Sequence, residues 1–246
     1  MKVQKSFYSD PKYPLLLIPG MMCDERIWRH QVAALRPRTS EIHVVDIPVV
    51  DSIVGMASTI LLSAPAQFSL AGFSMGGIIA LEIWRQAPER VMRLALLGTN
   101  ARNEKPEHQA PRLTQMERVL EGQLRDVMFH DFLPHYLGKA LLQDTFLRWE
   151  ILNMALLQGP DVFLKQCRAL NTRQDYSGLL QDIRCPSLVL CGEEDQICPA
   201  WMSEQLAQSI VGSTLLIVKS SGHLVTLEAP EEVSSAMLGW LAKPTA

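Results

Sequence analysis

The sequence predicts an α/β fold, in which a mostly parallel sheet is flanked by helices and carries an inserted block of further helices. Two patterns lead to this prediction. Short apolar runs of strand length alternate with segments whose apolar residues recur at helical spacing, and parallel strands need crossover connections that place helices over the sheet. Between residues 103 and 176 the alternation stops, and the pattern is helical throughout.

The first half of the chain supplies four of the predicted strands. The first apolar run, PLLLI, stops at Pro19-Gly20, which is typical of a sharp turn. The strands are predicted at residues 14–18, 42–45, 68–70 and 94–97. The helices between them are predicted at residues 24–35, 53–62 and 77–86. The apolar residues of the first helix fall on one face, at Ile27, Trp28, Val32 and Leu35.

The second half of the chain begins with the helical block and then returns to the sheet pattern. Strands are predicted at residues 187–190 and 215–218, and helices at residues 201–210 and 230–241. No repeat, low-complexity tract or flexible linker divides the chain. We therefore predict one domain over residues 1–246, with a core of residues 1–102 and 177–246 and a helical cap at about residues 103–176.

Composition limits the classes of function. Of 246 residues, 48% are hydrophobic and 20% are charged, so the chain can bury a substantial core. The formal net charge of −3, without a basic stripe, argues against nucleic-acid binding. The N-terminus has no apolar signal region, and no apolar run approaches the roughly 18 residues of a membrane span. We expect a soluble, cytoplasmic protein whose partner is a small molecule.

The cysteines predict reduced thiols and no metal site. Their number, five, is odd, they form no CxxC pair, and the chain is large enough to be stable without disulfides. Three of them cluster in sequence, but they straddle a predicted strand and lack the paired spacing of zinc ligands. These three are Cys185, Cys191 and Cys198.

A G-x-S-x-G motif, residues 72–76, lies between a predicted strand and a predicted helix. In that context a serine occupies a tight turn that strains its backbone and lifts its hydroxyl above the sheet edge, while the glycines let strand and helix pass closely. The N-terminus of the helix adds amide donors and a positive dipole end near developing negative charge. Ser74 is therefore the predicted nucleophile.

A serine hydroxyl is a weak nucleophile at neutral pH and needs a base that is itself oriented by an acid. His223 directly follows the last predicted strand and is the predicted base, because ligands of α/β sheets bind at the carboxyl edge. Asp195 follows the preceding strand and is the predicted acid, with Glu193 and Glu194 as alternatives. The order Ser, Asp, His is the one expected of a triad on such a sheet. Structural or solvated roles are predicted for the other five histidines. Substrate contact stays open for three of them, which lie in or next to the helical block. The five are His30 and His43, and, in or next to the block, His108, His130 and His135.

Acyl transfer places negative charge on a carbonyl oxygen, and preorganised backbone amides stabilise it. One such amide is expected at Met75, the residue after the nucleophile. The second is expected in the loop after the first strand, where we choose Met21. The flexible side chains of Met21 and its neighbour Met22 suit an adaptable apolar site. Packing in the core explains these side chains as well, Met22 more than Met21.

Four separate segments resemble the α/β-hydrolase superfamily: PLLLIPGMMCDERIW, LAGFSMGG, CPSLVLCGEEDQICP and SGHLVTLEAPEEV. The resemblance covers nearly the whole chain. It implies a sheet of eight strands in the full form, a Ser-His-Asp mechanism through an acyl-enzyme, no cofactor, and a substrate pocket between the sheet edge and the cap. The pattern is similar to small bacterial carboxylesterases, enol-lactonases and carbon–carbon bond hydrolases.

Three positions depart from the superfamily's pattern. Many relatives have His-Gly where this chain has Pro19-Gly20, and many have histidine where this chain has Phe73. The frequent Asp-x-Pro-Gly-His-Gly turn is replaced by DIPVVD at residues 46–51. The chain also leaves little room for two strands before Pro14, so we expect the sheet to be truncated at its N-terminal end.

These observations predict a serine hydrolase that cleaves an ester or related acyl bond of a small, partly apolar substrate. Lactone opening and carbon–carbon bond hydrolysis stay open, because the same triad supports them. A non-catalytic ligand-binding protein is the alternative from another class, and an intact triad argues against it. The sequence makes no prediction of the oligomeric state.

Overall fold

The computed structural model describes residues 13–39 and 41–245, and one six-stranded sheet runs through them. The strand order is β2-β1-β3-β4-β5-β6, and all neighbouring pairs are parallel. The bounds are β1 Leu15–Ile18, β2 Ile42–Val44, β3 Phe68–Phe73, β4 Val91–Leu97, β5 Ser187–Gly192 and β6 Thr214–Val218. The predicted α/β sheet is thereby confirmed, with strand ends that differ from the predicted ones by up to three residues.

Ten α-helices occur in the described residues. Their bounds are α1 Arg29–Leu35, α2 Ile53–Ser63, α3 Met75–Gln86, α4 Pro106–Leu120, α5 Leu124–Val127, α6 Leu133–Tyr136, α7 Thr145–Asn171, α8 Ala200–Ser209, α9 Val225–Glu228 and α10 Pro230–Leu241. The helix predicted at residues 24–35 is a 3₁₀ turn, Glu25–Trp28, that continues into α1. None of the helices in this part of the chain is long and apolar enough to cross a membrane.

Burial explains why the strands read as apolar runs. All residues of β1, β3 and β5 are buried, whereas the edge strands β2 and β6 are partly exposed. The flanking helices pack in pairs, α2 against α3 and α1 against α10. Inner strands of a parallel sheet that is covered by helices are shielded on both faces, so their sequences are continuously apolar instead of alternating.

The inserted helices, α4 to α7, lie between β4 and β5 in the chain. One prediction is wrong here, because residues 137–144 form bends and turns instead of helix. Two backbones meet at this place, since a Cβ on Gly222 would overlap the backbone of Gly138. Further along, Gly159 has φ 83° and precedes a proline, and the two residues kink α7.

The expectation of a truncated sheet falls mostly on residues 1–12, which lie outside the described residues. It therefore stays a prediction. The backbone carbonyls of Tyr13 and Pro14, the first described residues, accept hydrogen bonds that hold this segment in place. The Ser69 amide donates to the Pro14 carbonyl at 2.8 Å, and the Thr39 hydroxyl donates to the Tyr13 carbonyl at 2.7 Å.

The strand order changes direction at β1 and β3, which are neighbours in the sheet although β2 lies between them in the chain. Ile18, the last residue of β1, is in register with Gly72 of β3. The loops that leave these two strands therefore lie side by side at the carboxyl edge of the sheet. Such a switch point leaves a crevice between the outgoing loops, where ligands of α/β proteins bind.

Two glycines let α3 approach the sheet at this point. A Cβ on Gly72 would overlap the backbone carbonyl of Gly76, and a Cβ on Gly76 would overlap the backbone carbonyls of Ile18 and Pro19. The atoms in the way belong to the backbone, so a side-chain rotation cannot relieve the overlap. The first turn of α3 therefore packs directly on the ends of β1 and β3.

We predict that Gly76→Ala lowers the free energy of unfolding by about 1–3 kcal/mol or more, because the added methyl group overpacks a contact between backbones. The measurement is urea-induced unfolding followed by circular dichroism. The control is Gly239→Ala in α10, where a Cβ meets no atom within 4 Å. This control is expected to raise the stability by about 0.5–1 kcal/mol, because alanine is the better helix former. A Gly76→Ala variant as stable as the wild type would contradict the packing described.

Candidate active site

Ser74 occupies the turn between β3 and α3 in a backbone conformation that favours glycine. Its φ is 53° and its ψ is −119°. Hydrogen bonds hold the residue in this conformation: its amide donates to the Leu97 carbonyl at 2.8 Å, and its carbonyl accepts the Thr99 hydroxyl at 2.7 Å. A non-glycine residue in this region costs about 1–3 kcal/mol, which the surrounding structure must offset. The strained turn predicted from the motif is present.

His223 lies in the loop that follows β6, and its ring is buried. Its Nε2 is 2.9 Å from the Ser74 hydroxyl oxygen. The ring contacts Phe73, at a centroid distance of 5.1 Å, and Tyr136, on which it is stacked at 5.8 Å. The backbone amide of His223 also donates to the Tyr136 carbonyl at 2.9 Å. The inserted helix α6 therefore fixes both the backbone and the ring plane of this histidine.

Asp195, 4% exposed, lies in the loop after β5 and completes a chain of hydrogen bonds. Its Oδ2 is 2.8 Å from Nδ1 of His223. Its Oδ1 accepts the amides of Ile197 and Cys198, both at 2.8 Å. A carboxylate at Nδ1 favours the tautomer with the proton on that nitrogen, which leaves Nε2 free to accept the proton of Ser74.

The alternative acids have other partners. Glu193 accepts the backbone amide of Ser220 at 3.2 Å, and Glu194 accepts the backbone amide of Lys139 at 2.6 Å. Both carboxylates thus serve to connect loops at the sheet edge. Of the three acidic residues in this loop, the structure brings Asp195 to His223.

The other histidines whose side chains are described lie away from the cavity at Ser74. His30 accepts a hydrogen bond from Arg29, and His43 lies 3.2 Å from Glu41 at the surface. His135 pairs with the Gln196 side chain at 3.1 Å. His130 packs edge-on against Phe129. The side chain of His108 is outside the described residues, so its role stays a prediction.

Met75 is the first residue of α3, and Met21 lies in the loop after β1. Both residues line the cavity that Ser74 opens into, and neither amide donates a hydrogen bond to a described residue. The loop that carries Met21 is held by α7, because the Met22 amide donates to the buried side chain of Gln166 at 2.9 Å. Met22 itself has φ 56° and is buried outside the cavity.

Gln166 is a positioning residue that no sequence motif predicts. The bond joins positions 144 residues apart, and no local pattern marks it. The residue type is the signal that could have indicated it, because a glutamine that is buried in a helix needs a hydrogen-bond partner elsewhere.

A cavity of about 410 Å³ lies between the loops at the sheet edge and the inserted helices. A cavity of this size holds a small molecule. Its apolar lining includes Met21, Ile78, Phe132, Leu170 and Leu224. Its charged lining includes Arg102, Glu104, Lys105, Arg112 and Arg173. Trp149 of α7 is 60% exposed and lies outside this lining.

Glu228 supports the His223 loop, and no sequence motif marks this residue. Its Oε2 accepts the amides of Gly138 at 2.7 Å and Gly222 at 3.0 Å. Burial raises the pKa of Glu228 above its usual value, although the two amides and His223 act in the opposite direction. This carboxylate therefore joins the turn after α6 to the residue before His223.

We predict that the free energy of unfolding of Glu228→Gln, measured relative to that of the wild type, increases as the pH rises from about 4 to about 7. The raised pKa means that the folded state binds more protons than the unfolded state above the ordinary glutamate pKa, so wild-type stability falls as the pH rises through that window. Glutamine does not titrate, and its side-chain oxygen still accepts both amides. The measurement is chemical unfolding of both proteins across this range.

The exposed Glu231→Gln in α10 controls for the loss of a carboxylate. A stability difference between Glu228→Gln and the wild type that stays constant or shrinks with rising pH would contradict the account.

Comparisons with curated proteins give relatives of similar length. An (E)-2-((N-methylformamido)methylene)succinate hydrolase from Acinetobacter baylyi is 27% identical, over 93% of this chain and 90% of that protein. A pimeloyl-[acyl-carrier protein] methyl ester esterase from Nitrosomonas europaea is 26% identical, over 90% of this chain and 92% of that protein.

Solved structures share the fold. A thermophilic esterase from Thermogutta terrifontis, in a malate-bound structure, superposes with a TM-score of 0.83 at 27% identity, covering 94% of this chain and 90% of that one. An enol-lactonase from Burkholderia xenovorans has a TM-score of 0.82 at 21% identity, covering 95% and 92%. The model of the alpha/beta hydrolase family matches residues 15–236. This chain therefore belongs to the alpha/beta hydrolase family and is a hydrolase.

Proposed function

We propose that this hydrolase cleaves an ester or related acyl bond of a small, partly apolar substrate through an acyl-enzyme on Ser74. One observation carries the proposal. Ser74, His223 and Asp195 form a continuous chain of hydrogen bonds of 2.9 and 2.8 Å. Nucleophile, base and orienting acid are thus within reach of one another at the wall of a cavity that holds a small molecule.

In the first step, the Ser74 oxygen attacks the carbonyl carbon of the substrate, and Nε2 of His223 takes the hydroxyl proton. Asp195 stabilises the imidazolium that forms, because its carboxylate lies 2.8 Å from Nδ1. The Ile197 and Cys198 amides at its other oxygen keep this carboxylate oriented. His223 then gives the proton to the departing alkoxide, which leaves the acyl group on Ser74.

The negative charge on the carbonyl oxygen is stabilised by the backbone amides of Met21 and Met75. Each such donor contributes roughly 3–4 kcal/mol of transition-state stabilisation. Met75 begins α3, so the positive end of the helix dipole acts in the same direction. Gln166 positions the other donor, because it holds the amide of the neighbouring Met22.

In the second step, His223 takes a proton from a water molecule, and the resulting hydroxide attacks the acyl carbon. The tetrahedral intermediate collapses, His223 returns the proton to Ser74, and the acid product leaves. A lactone is a cyclic ester and opens by the same steps.

The backbone of Ser74 also argues against a protein that only binds ligands. Its positive φ costs stability, and such strain persists at sites where it serves the chemistry. A catalytic role gives a direct reason for this conformation, because the turn presents the Ser74 hydroxyl at the cavity.

We predict that Ser74→Ala lowers kcat/KM for short-chain p-nitrophenyl esters by about 10⁴-fold or more, because the nucleophile of a triad cannot be replaced by its neighbours. Ser58→Ala, at an exposed serine of α2, is the matched control and is expected to keep wild-type activity. Unfolding curves for both variants verify that the fold is kept. Retention of most activity in Ser74→Ala would refute the nucleophile.

We predict that Asp195→Asn lowers kcat by about 10⁴-fold, because an amide at this position favours the wrong tautomer of His223. The control is Glu193→Gln, which removes a carboxylate from the same loop and is expected to change kcat by less than about threefold. Steady-state kinetics on the same esters measure both. The opposite ranking of the two variants would assign the acid to Glu193.

A further inference from the structure

The wall of the cavity contains two partly buried arginine side chains that share one carboxylate. Arg112, from α4, and Arg173, just beyond α7, both pair with Glu104. Their side chains are 18% and 8% exposed, and that of Glu104 is 2% exposed. Two cations that share one anion leave an excess of positive charge in the wall. Such an excess is costly away from water unless a further anion binds there.

Glu104 stays ionised in this cluster. Burial raises the pKa of its carboxyl group, but the guanidinium groups of Arg112 and Arg173 outweigh burial and bring the pKa below its usual value. The three side chains therefore carry a net charge of +1.

The guanidinium group of Arg112 has nitrogens that donate to no described residue. Its Nη1 donates to Glu104 and, at 2.7 Å, to the Asn171 side chain. Its Nε and Nη2 donate to no described residue, and neither is among the buried polar atoms without a partner, so both are accessible. Arg112 lines the cavity, and these two nitrogens form the fork with which a guanidinium binds a carboxylate in two parallel hydrogen bonds.

Arg173 is held more firmly. Its Nε donates to the Arg102 carbonyl at 2.8 Å, and its Nη1 donates to Glu104 and to the Leu170 carbonyl. Its place in the cavity wall is therefore fixed before a ligand arrives, which reduces the entropy lost on binding.

The rest of the cavity lining does not cancel the excess charge. Four cationic residues line it, and Glu104 is the single carboxylate among the described lining residues. Two of the four lie beside other groups: Arg102 lies over the Trp201 ring at 4.9 Å, and Lys105 lies 3.6 Å from Glu107. Arg112 and Arg173 are thus a place where an anion gains, because water screens a partly buried charge less than an exposed one.

We propose that Arg112 binds a carboxylate of the substrate, with Arg173 adding positive charge beside it, so that this hydrolase acts on small esters that also carry an ionised carboxyl group. The inference rests on the proposed function, since it names the substrate class of the same cavity. A singly charged carboxylate neutralises the net charge of +1 of the cluster, whereas a doubly charged phosphate leaves it with a net charge of −1. The apolar lining holds the carbon chain between the carboxylate and the ester.

The test compares esters that differ in one terminal group. The monomethyl esters of glutarate, adipate and pimelate carry a carboxylate where methyl pentanoate, hexanoate and heptanoate carry a methyl group. For at least one pair, wild-type kcat/KM is expected to be about 10-fold or more higher for the charged ester. Raising the salt concentration lowers this preference. Equal or lower kcat/KM for all three charged esters would overturn the proposal.

Arg112→Gln is expected to lower kcat/KM for the preferred charged ester by about 10- to 100-fold, mainly through KM, because a hydrogen-bonded ion pair is lost. The neutral ester is expected to change by less than about threefold. Arg125→Gln, at an exposed arginine of α5, removes the same charge away from the cavity and is expected to affect neither ester. An equal loss for both esters in Arg112→Gln would overturn the proposal.

Binding separates this inference from the proposed mechanism. Isothermal titration of glutarate, adipate and pimelate into Ser74→Ala is expected to show binding of at least one dianion, and the added Arg112→Gln substitution is expected to remove it. If Ser74→Ala keeps full hydrolytic activity, the mechanism falls, while the titration still decides the carboxylate site. If no dianion binds, the carboxylate site falls, while loss of activity in Ser74→Ala still supports the mechanism.

Discussion

The close approach of α3 to β1 and β3 is the constraint on which the candidate site depends. A helix can begin there because Gly72 and Gly76 have no side chains in the contact. The chain must turn within one residue between β3 and α3, and that residue, Ser74, takes a positive φ. The same contact places the first amide of α3 beside the loop after β1. The nucleophile and its proposed amide donors therefore follow from one packing arrangement.

The inserted helices hold this arrangement from the other side of the cavity. Gln166 binds the loop after β1, and the Tyr136 carbonyl accepts the His223 amide. Glu228 joins the turn after α6 to the His223 loop. Catalytic groups need support from groups that fix their orientation, because small displacements are costly for the reaction. The inserted helices thus contribute to positioning as well as to the walls of the cavity.

The strands and the residues of the hydrogen-bonded chain were predictable because their signals are local. An apolar run marks a buried strand, and a Gly-x-Ser-x-Gly turn between a strand and a helix marks Ser74. The irregular segment 137–144 was predicted as helix, because its backbone contact with Gly222 lies far away in the sequence. The pairing of Arg112 with Glu104 was unpredictable for a related reason, since charged residues in a helical block are usually solvated.

Labelling with a fluorophosphonate, followed by mass spectrometry of the peptides, tests the central claim most directly. Such a probe phosphonylates a serine that a base has activated, and it does not depend on knowing the substrate. Stoichiometric modification of Ser74 is expected in the folded wild-type protein, and none is expected in His223→Ala. A folded wild-type protein that stays unlabelled at Ser74, or that is labelled at another serine, would contradict it.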